Sequence, residues 1–152
     1  MGFSASIGKW AGETIQRTEN VGKQATIALF RGVILDTPVQ EIGGGRLRAN
    51  WLATADSPSS AQLDGVDPDG SQTVEKMTTV VLAQKMDFTV YLANNLPYAQ
   101  VAEYGEWKDK DGNPANGPHT IGGYSTQAPA GMVRRNMARI NTNLNKAMVL
   151  IK

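Results

Sequence analysis

Hydrophobic positions recur at two periods along the chain, and the changes of period mark its elements. From Ser6 to Asp36, the residues Ala11, Ile15, Gly22, Ala25, Leu29 and Val33 share one stripe at a period near 3.6. Glu13, Arg17, Asn20, Gln24 and Arg31 occupy the opposite side. This pattern predicts one long amphipathic helix. Ile27, Phe30 and Ile34 widen its apolar arc in the second half, which should therefore be buried more deeply or meet a partner subunit. Gly22 and Gly32 each cost about 1 kcal/mol relative to alanine inside a helix, so a close neighbour is expected at those points. Thr37-Pro38 ends the helix, because a residue before proline is pushed out of helical conformation.

The period then shortens. Arg48 to Ala55 reads as a strand, with Trp51 filling a core or interface position. Val74, Met77, Thr78, Val81, Leu82 and Lys85 return to helical spacing, which predicts a central helix over Thr73 to Lys85. The β-branched cluster Thr78 to Leu82 offers a competing strand, and the apolar spacing favours the helix. Phe88, Val90 and Leu92 alternate with Thr89, Tyr91 and Ala93, as in a strand with one buried face.

That strand delivers the chain into Asn94-Asn95-Leu96-Pro97-Tyr98, the stretch around which the other elements are expected to gather. Two asparagines turn the chain through their side chains, and Pro97 fixes one dihedral. Tyr98, Val101 and Ala102 then recur at helical spacing, and Gly105 is free to end the turn in a left-handed conformation. Glu103 between Tyr98 and Tyr104 is the one candidate acid; the plainer reading is a helical turn whose aromatics lock it onto a sheet. A final helix to about Leu150 carries Val133, Met137, Ile140, Leu144, Ala147 and Ile151 at a 4-3-4-3-4 spacing, with Arg134, Arg135 and Arg139 off that seam.

Composition narrows the chemistry. The chain has 152 residues, 41% hydrophobic and 19% charged, which suits a single domain over residues 1–152 with a modest core. A net charge of +1 gives no whole-protein field directed at nucleic acid or an anionic membrane. Without cysteine there are no disulfides and no thiolate chemistry. The first residues lack the pattern of a signal peptide, and no apolar run is long enough to cross a bilayer, so a soluble protein used without export is expected.

Two polar stretches, 56–72 and 106–123, read as exposed loops. Each carries spaced acids, and each lacks the glycine and glutamate that a calcium loop needs. His119 has no second imidazole or cysteine beside it in sequence, so no metal is expected. Gly43-Gly44-Gly45 before Arg46 suggests a phosphate cradle. It lacks the Gly-Lys-Ser/Thr ending, and Arg48 stands where a dinucleotide fingerprint needs its third glycine. A flexible turn is the better account. No cofactor is implied, and no motif sets a nucleophile beside a base.

Several segments taken together resemble a known family. They are Pro38-Val39, Gly45-Arg46-Leu47-Arg48 with Trp51, Asn94-Asn95-Leu96-Pro97-Tyr98-Ala99 with Glu103-Tyr104-Gly105, and Tyr124-Ser125 with Gln127-Ala128-Pro129 and Gly131-Met132-Val133. In this order, across about two-thirds of the chain, they resemble the HK97 gp10-like proteins of tailed bacteriophages, a neck and tail-completion group related to the lambda tail-completion protein. The resemblance implies an α+β fold: long N-terminal and C-terminal helices packed on a small antiparallel β-sheet. The periodicity adds a further central helix. The resemblance, not the periodicity, also implies a structural virion protein, a homo-oligomeric ring (usually a hexamer) that joins tail to head around the DNA channel and is assembled in the host cytoplasm. The implied partners are copies of the chain, the adjacent head-completion (stopper), tail-terminator and tail-tube proteins, and genomic DNA passing non-specifically through the lumen, with no membrane. Two departures stand out: Gln40 to Gly44 lengthens a turn that is short in the family, and Glu106 to Gly123 intervenes before the Gln-Ala-Pro motif.

A structural role is therefore the leading expectation. The interface candidates are Phe30, Ile34, Trp51, Tyr98, Glu103, Tyr104 and Trp107, with Arg134, Arg135 and Arg139 facing acidic partners or the channel wall. Within the same biology the alternative is a tail terminator capping the tail tube. The alternative of another class is a small nucleic-acid-binding module using Arg46, Arg48, Arg134, Arg135 and Arg139 with Trp51, Tyr98 and Tyr104.

Overall fold

A computed structural model describes residues 3–149. Its elements follow in the order α1 (Phe3–Leu35), α2 (Arg46–Ala49), β1 (Leu52–Thr54), α3 (Ser71–Leu82), β2 (Tyr91–Ala93), α4 (Ala99–Tyr104), β3 (Thr120–Ile121), β4 (Tyr124–Ser125) and α5 (Val133–Val149). The fold is α+β, with long first and last helices, a central helix and a small antiparallel sheet. In that sheet β1 pairs with β2, setting Leu52 opposite Ala93 and Thr54 opposite Tyr91. A second, separate hairpin pairs β3 with β4.

The core lies where the second half of α1 meets α3, α4 and the chain just before α5. Val33, Ile34, Met77, Val81, Leu96, Ala102 and Met132 fill it, with Leu47 and Trp51 closing one side. Burying each of the larger aliphatic side chains contributes roughly 1.5–3 kcal/mol, and their spacing on α1 and α3 is what selects helix there. The two-glycine expectation on α1 holds unequally. A Cβ at Gly22 would meet Phe88 at an ordinary 3.8 Å, whereas one at Gly32 would overlap the side chain of Asn136. Gly32 is thus the point where α5 crosses α1.

Three expectations for the middle of the chain are corrected. The strand anticipated over Arg48 to Ala55 is a short helix, Arg46–Ala49, followed by only three strand residues. Gly45 explains the change: at φ 105° it starts a helical turn, packed against the backbone of Pro68 where no side chain fits. The strand anticipated from Phe88 narrows to Tyr91–Ala93, because β1 offers only three residues to pair with. Glu106 to Gly123 is not a bare loop. The hairpin β3–β4 turns through Gly122 and Gly123, both at positive φ, as a tight two-residue turn requires. The central helix, expected over Thr73 to Lys85, forms over Ser71–Leu82.

The loop expected over 56–72 ends at Gly70, where α3 begins, and is mostly exposed yet pinned at several points. The fully buried Asn50 accepts from the Leu63 amide at 2.6 Å and donates to the Leu63 carbonyl at 2.9 Å. Asn95 donates to the carbonyls of Ser59 and Ala61. Of the two asparagines expected to turn the chain, Asn94 does so by accepting from the Leu96 amide, while Asn95 clamps the loop.

Against this body, the first half of α1 stands apart. Ile7, Trp10, Ile15 and Val21 are all exposed, with Trp10 at 68% and Val21 at 64%. Residues up to about Val21 thus form a helical arm about 28 Å long. On α5, Met137 is 54% exposed and Val133 and Ile140 are half-buried. The seam positions Leu144 and Ala147 lie outside the described side chains, and Leu150 and Ile151 outside the described residues.

Replacing Gly32 by alanine forces α5 away from α1 or Asn136 off its rotamer. The expected loss is about 2 kcal/mol of folding stability, read as a lowered urea midpoint with an unchanged m-value.

Candidate functional site

Glu103 is the residue on which the interior of this region converges. It is buried, at 8% exposure, and its carboxylate stands at the start of α5. Oε2 accepts from the amides of Met132 (2.6 Å) and Val133 (2.9 Å), and Oε1 accepts from the Arg134 amide (3.0 Å) and from Arg134 Nε (3.2 Å). A helix leaves its first amides unsatisfied and carries partial positive charge there, so a carboxylate from another element serves both needs. Gly131, at φ 78°, lets the chain approach: a side chain at that position would collide with the Glu103 carbonyl and carboxylate. Arg134 turns back to donate to the Glu103 carbonyl and to Tyr124 Oη at 3.2 Å, and its guanidinium lies 4.9 Å over the ring of Tyr104.

Burial alone would push the Glu103 pKa up. The amides of Val133, Arg134 and Met132, with the Arg134 side chain, outweigh it and hold the carboxyl below its ordinary value. Glu103 is therefore a capping carboxylate with every strong partner supplied by the chain. Among the described residues no cluster of histidine, aspartate or glutamate is arranged to hold a metal ion, and His119 is exposed.

The arginines expected to face partners are engaged within the molecule. Arg139 donates to Asp36 Oδ2 at 2.7 Å, and Arg135 Nε lies 3.5 Å from the same oxygen. Arg46 meets Asp64 at 3.0 Å. Arg48 donates to the carbonyls of Leu35, Thr37 and Pro68, leaving its buried Nε without a partner. Burial lowers the Arg48 pKa, partly countered by Asp67, Asp69 and Asp36.

Several other interface candidates are likewise unavailable to a partner. Ile34 is fully buried between α1 and α3, and Phe30 packs on the same core. Trp51 is buried, its indole N–H donating to Thr37 Oγ1 at 2.7 Å. Tyr98 and Tyr104 do not lock α4 onto the sheet. They are 37% and 53% exposed, and the buried face of the helix is formed by Ala99, Ala102 and Glu103 instead. Tyr98 and the half-buried Trp107 line a groove of about 840 Å³ between the 38–47 turn and the 106–127 segment. Gln127 bridges its floor, accepting from the Val39 amide at 3.0 Å and donating to the Val39 carbonyl at 2.8 Å.

Exposed apolar residues are scattered over the body, Ile42 beside the groove and Ile121 on the hairpin among them, and a further set, Ile7, Trp10, Ile15 and Val21, lies along the α1 arm. Trp10 and Val21 are the features that residue-by-residue reading passed over. Their signal in the sequence is an apolar series continuing N-terminally to a point where the body has no mate for it.

Exchanging Glu103 for glutamine removes the charge and one acceptor while keeping the shape. The expected cost is about 2 kcal/mol. Because the folded pKa is depressed, this stabilisation is complete above the ordinary glutamate value of about 4.3 and is lost as pH falls through the lower folded value. Denaturation midpoints of the two proteins should therefore converge below pH ~4; a constant gap would contradict the capping role. No protein-family model, curated protein or solved structure matches the chain.

Proposed function

We propose that this protein is a structural subunit of a tailed-bacteriophage virion, a neck or tail-completion protein that assembles into a ring joining tail to head around the DNA channel. One observation carries the reading. The first half of α1 presents Ile7, Trp10, Ile15 and Val21 to solvent on a stretch of helix that the described residues leave uncovered. Contiguous uncovered apolar surface marks an interaction site, and a ring of identical subunits covers such surface repeatedly. The motif resemblance supplies the biological setting.

The fold supports a role in assembly in a second way. Its motif residues serve the frame: Gln127 holds Val39, Ala128 and Met132 are buried, and Glu103 fixes the start of α5. The groove beside Tyr98 and Trp107 and the hairpin of the 106–123 segment give the frame polar edges for neighbouring rings.

Sedimentation and negative-stain imaging of the purified chain test the reading. Closed rings with a central hole are expected at high concentration, and labelled antibody should mark the head–tail junction of the virion. A chain that stays monomeric and is missing from particles overturns it. Should the ring instead cap isolated tail tubes and block their growth, the protein is the terminator. The nucleic-acid module predicts tight, salt-sensitive binding. With the arginines ion-paired or capping carbonyls, no gel shift is expected at micromolar protein in physiological salt.

A further inference from the structure

We propose that the arms of adjacent copies lie side by side in the same direction, the Trp10 shoulder of one packing on the Ile15 shoulder of the next. This rests on the ring reading above and names the surface that closes it.

The arm carries a seam suited to another helix. Ile7, Ala11, Thr14, Thr18, Val21 and Ala25 follow a 4-3-4-3-4 spacing, the repeat that keeps one helix face turned toward a partner helix. The two threonines do not interrupt it. Thr14 donates its hydroxyl to the Trp10 carbonyl at 2.8 Å and Thr18 to the Thr14 carbonyl at 2.9 Å, so neither presents an unsatisfied hydroxyl to the seam. The same series continues through Ala28 to Gly32, where α5 already crosses it and Asn136 enters. A helix thus occupies one end of the seam within the chain, and among the described residues the seam is largely uncovered from Ile7 to Val21.

Charge selects the occupant. The arm carries Lys9 and Arg17 against Glu13 and Glu19, with no excess of either sign for a nucleic acid or an anionic surface. The start of α5 is already engaged within its own copy, Asn136 against Gly32 and Arg134, Arg135 and Arg139 on Glu103 and Asp36, so a second copy's α5 is not free to take the seam. Another arm, itself charge-balanced, is.

Width selects the geometry. At 100° per residue, Trp10 and Ile15 flank the seam about 140° apart. A simple helix pair needs only the narrow seam, whereas two apolar shoulders let each helix touch two neighbours. In parallel neighbours, Trp10 of one copy comes beside Ile15 of the next, and the opposite shoulder repeats the contact onward. Two different surfaces then meet at every junction, the arrangement that closes into a ring.

Absence of native cysteine makes the test clean. Trp10→Cys and Ile15→Cys are introduced singly and together, and each protein is oxidised mildly while its association state is followed by sedimentation. The double variant should give a ladder of covalent multimers extending beyond the dimer on a non-reducing gel, while each single variant gives almost none. A separate Trp10→Glu variant, with an intact body, should weaken association by about tenfold or more. Assembly without a ladder, or a bond that stops at the dimer as an antiparallel two-fold pair would, overturns the arm contact and leaves the ring reading standing. A cysteine-free chain that never associates overturns both.

Discussion

Charged side chains at helix ends hold this molecule in register. Glu103 occupies the start of α5, and Asp67 accepts from the Thr73 amide and hydroxyl in the first turn of α3. Lys23 donates to the Leu82 carbonyl at the end of α3, and Arg48 to the Leu35 and Thr37 carbonyls at the end of α1. In each case the sign matches the helix dipole, with anions at amino ends and cations at carboxyl ends. Each cap except Asp67 comes from a different helix or from beyond a long loop. Satisfying one helix end therefore fixes the position of a second element.

That constraint explains why a chain with short strands has a defined tertiary arrangement. Three residue pairs of β-ladder cannot orient five helices. The caps do so together with the core: Lys23 ties α1 to α3, Arg48 ties α2 to the end of α1, and Glu103 ties α4 to α5. Asp36 adds a further tie, meeting Arg135, Arg139 and Asn136 just past the end of α1. The carboxylate would be disfavoured there by the α1 dipole alone, and the α5 cations reverse that balance.

Spending charge inside the frame has a consequence for recognition. The arginines that looked free to reach an acidic partner are already paired, and the buried Trp51 and the half-buried Phe30 are already packed. The body keeps one groove and exposed apolar residues scattered over several elements, Ile42, Leu82 and Ile121 among them, while the α1 arm carries Ile7, Trp10, Ile15 and Val21 on a single helix. In such a fold the arginines at helix ends serve the frame first, as Arg48 does at the end of α1 and Arg134 at the start of α5.

Periodicity determined the helices, because burial of one face writes a 3.6-residue repeat directly into the chain; α1, α3 and α5 were legible within a few residues. The turn at Gly105 was legible for the same local reason. The helical turn at Arg46 and the Gly122–Gly123 hairpin depend on backbone conformations that neighbours select, so their residues were visible and their structure was not. Tertiary structure alone decided which charges were spent. Glu103 and Met132 are 29 positions apart, and Asp36 and Arg139 are 103 apart; no local pattern records such pairings. It also decided where the apolar face of α1 stops being core. A stripe is apolar along its whole length, and only the position of the rest of the chain determines which half it covers.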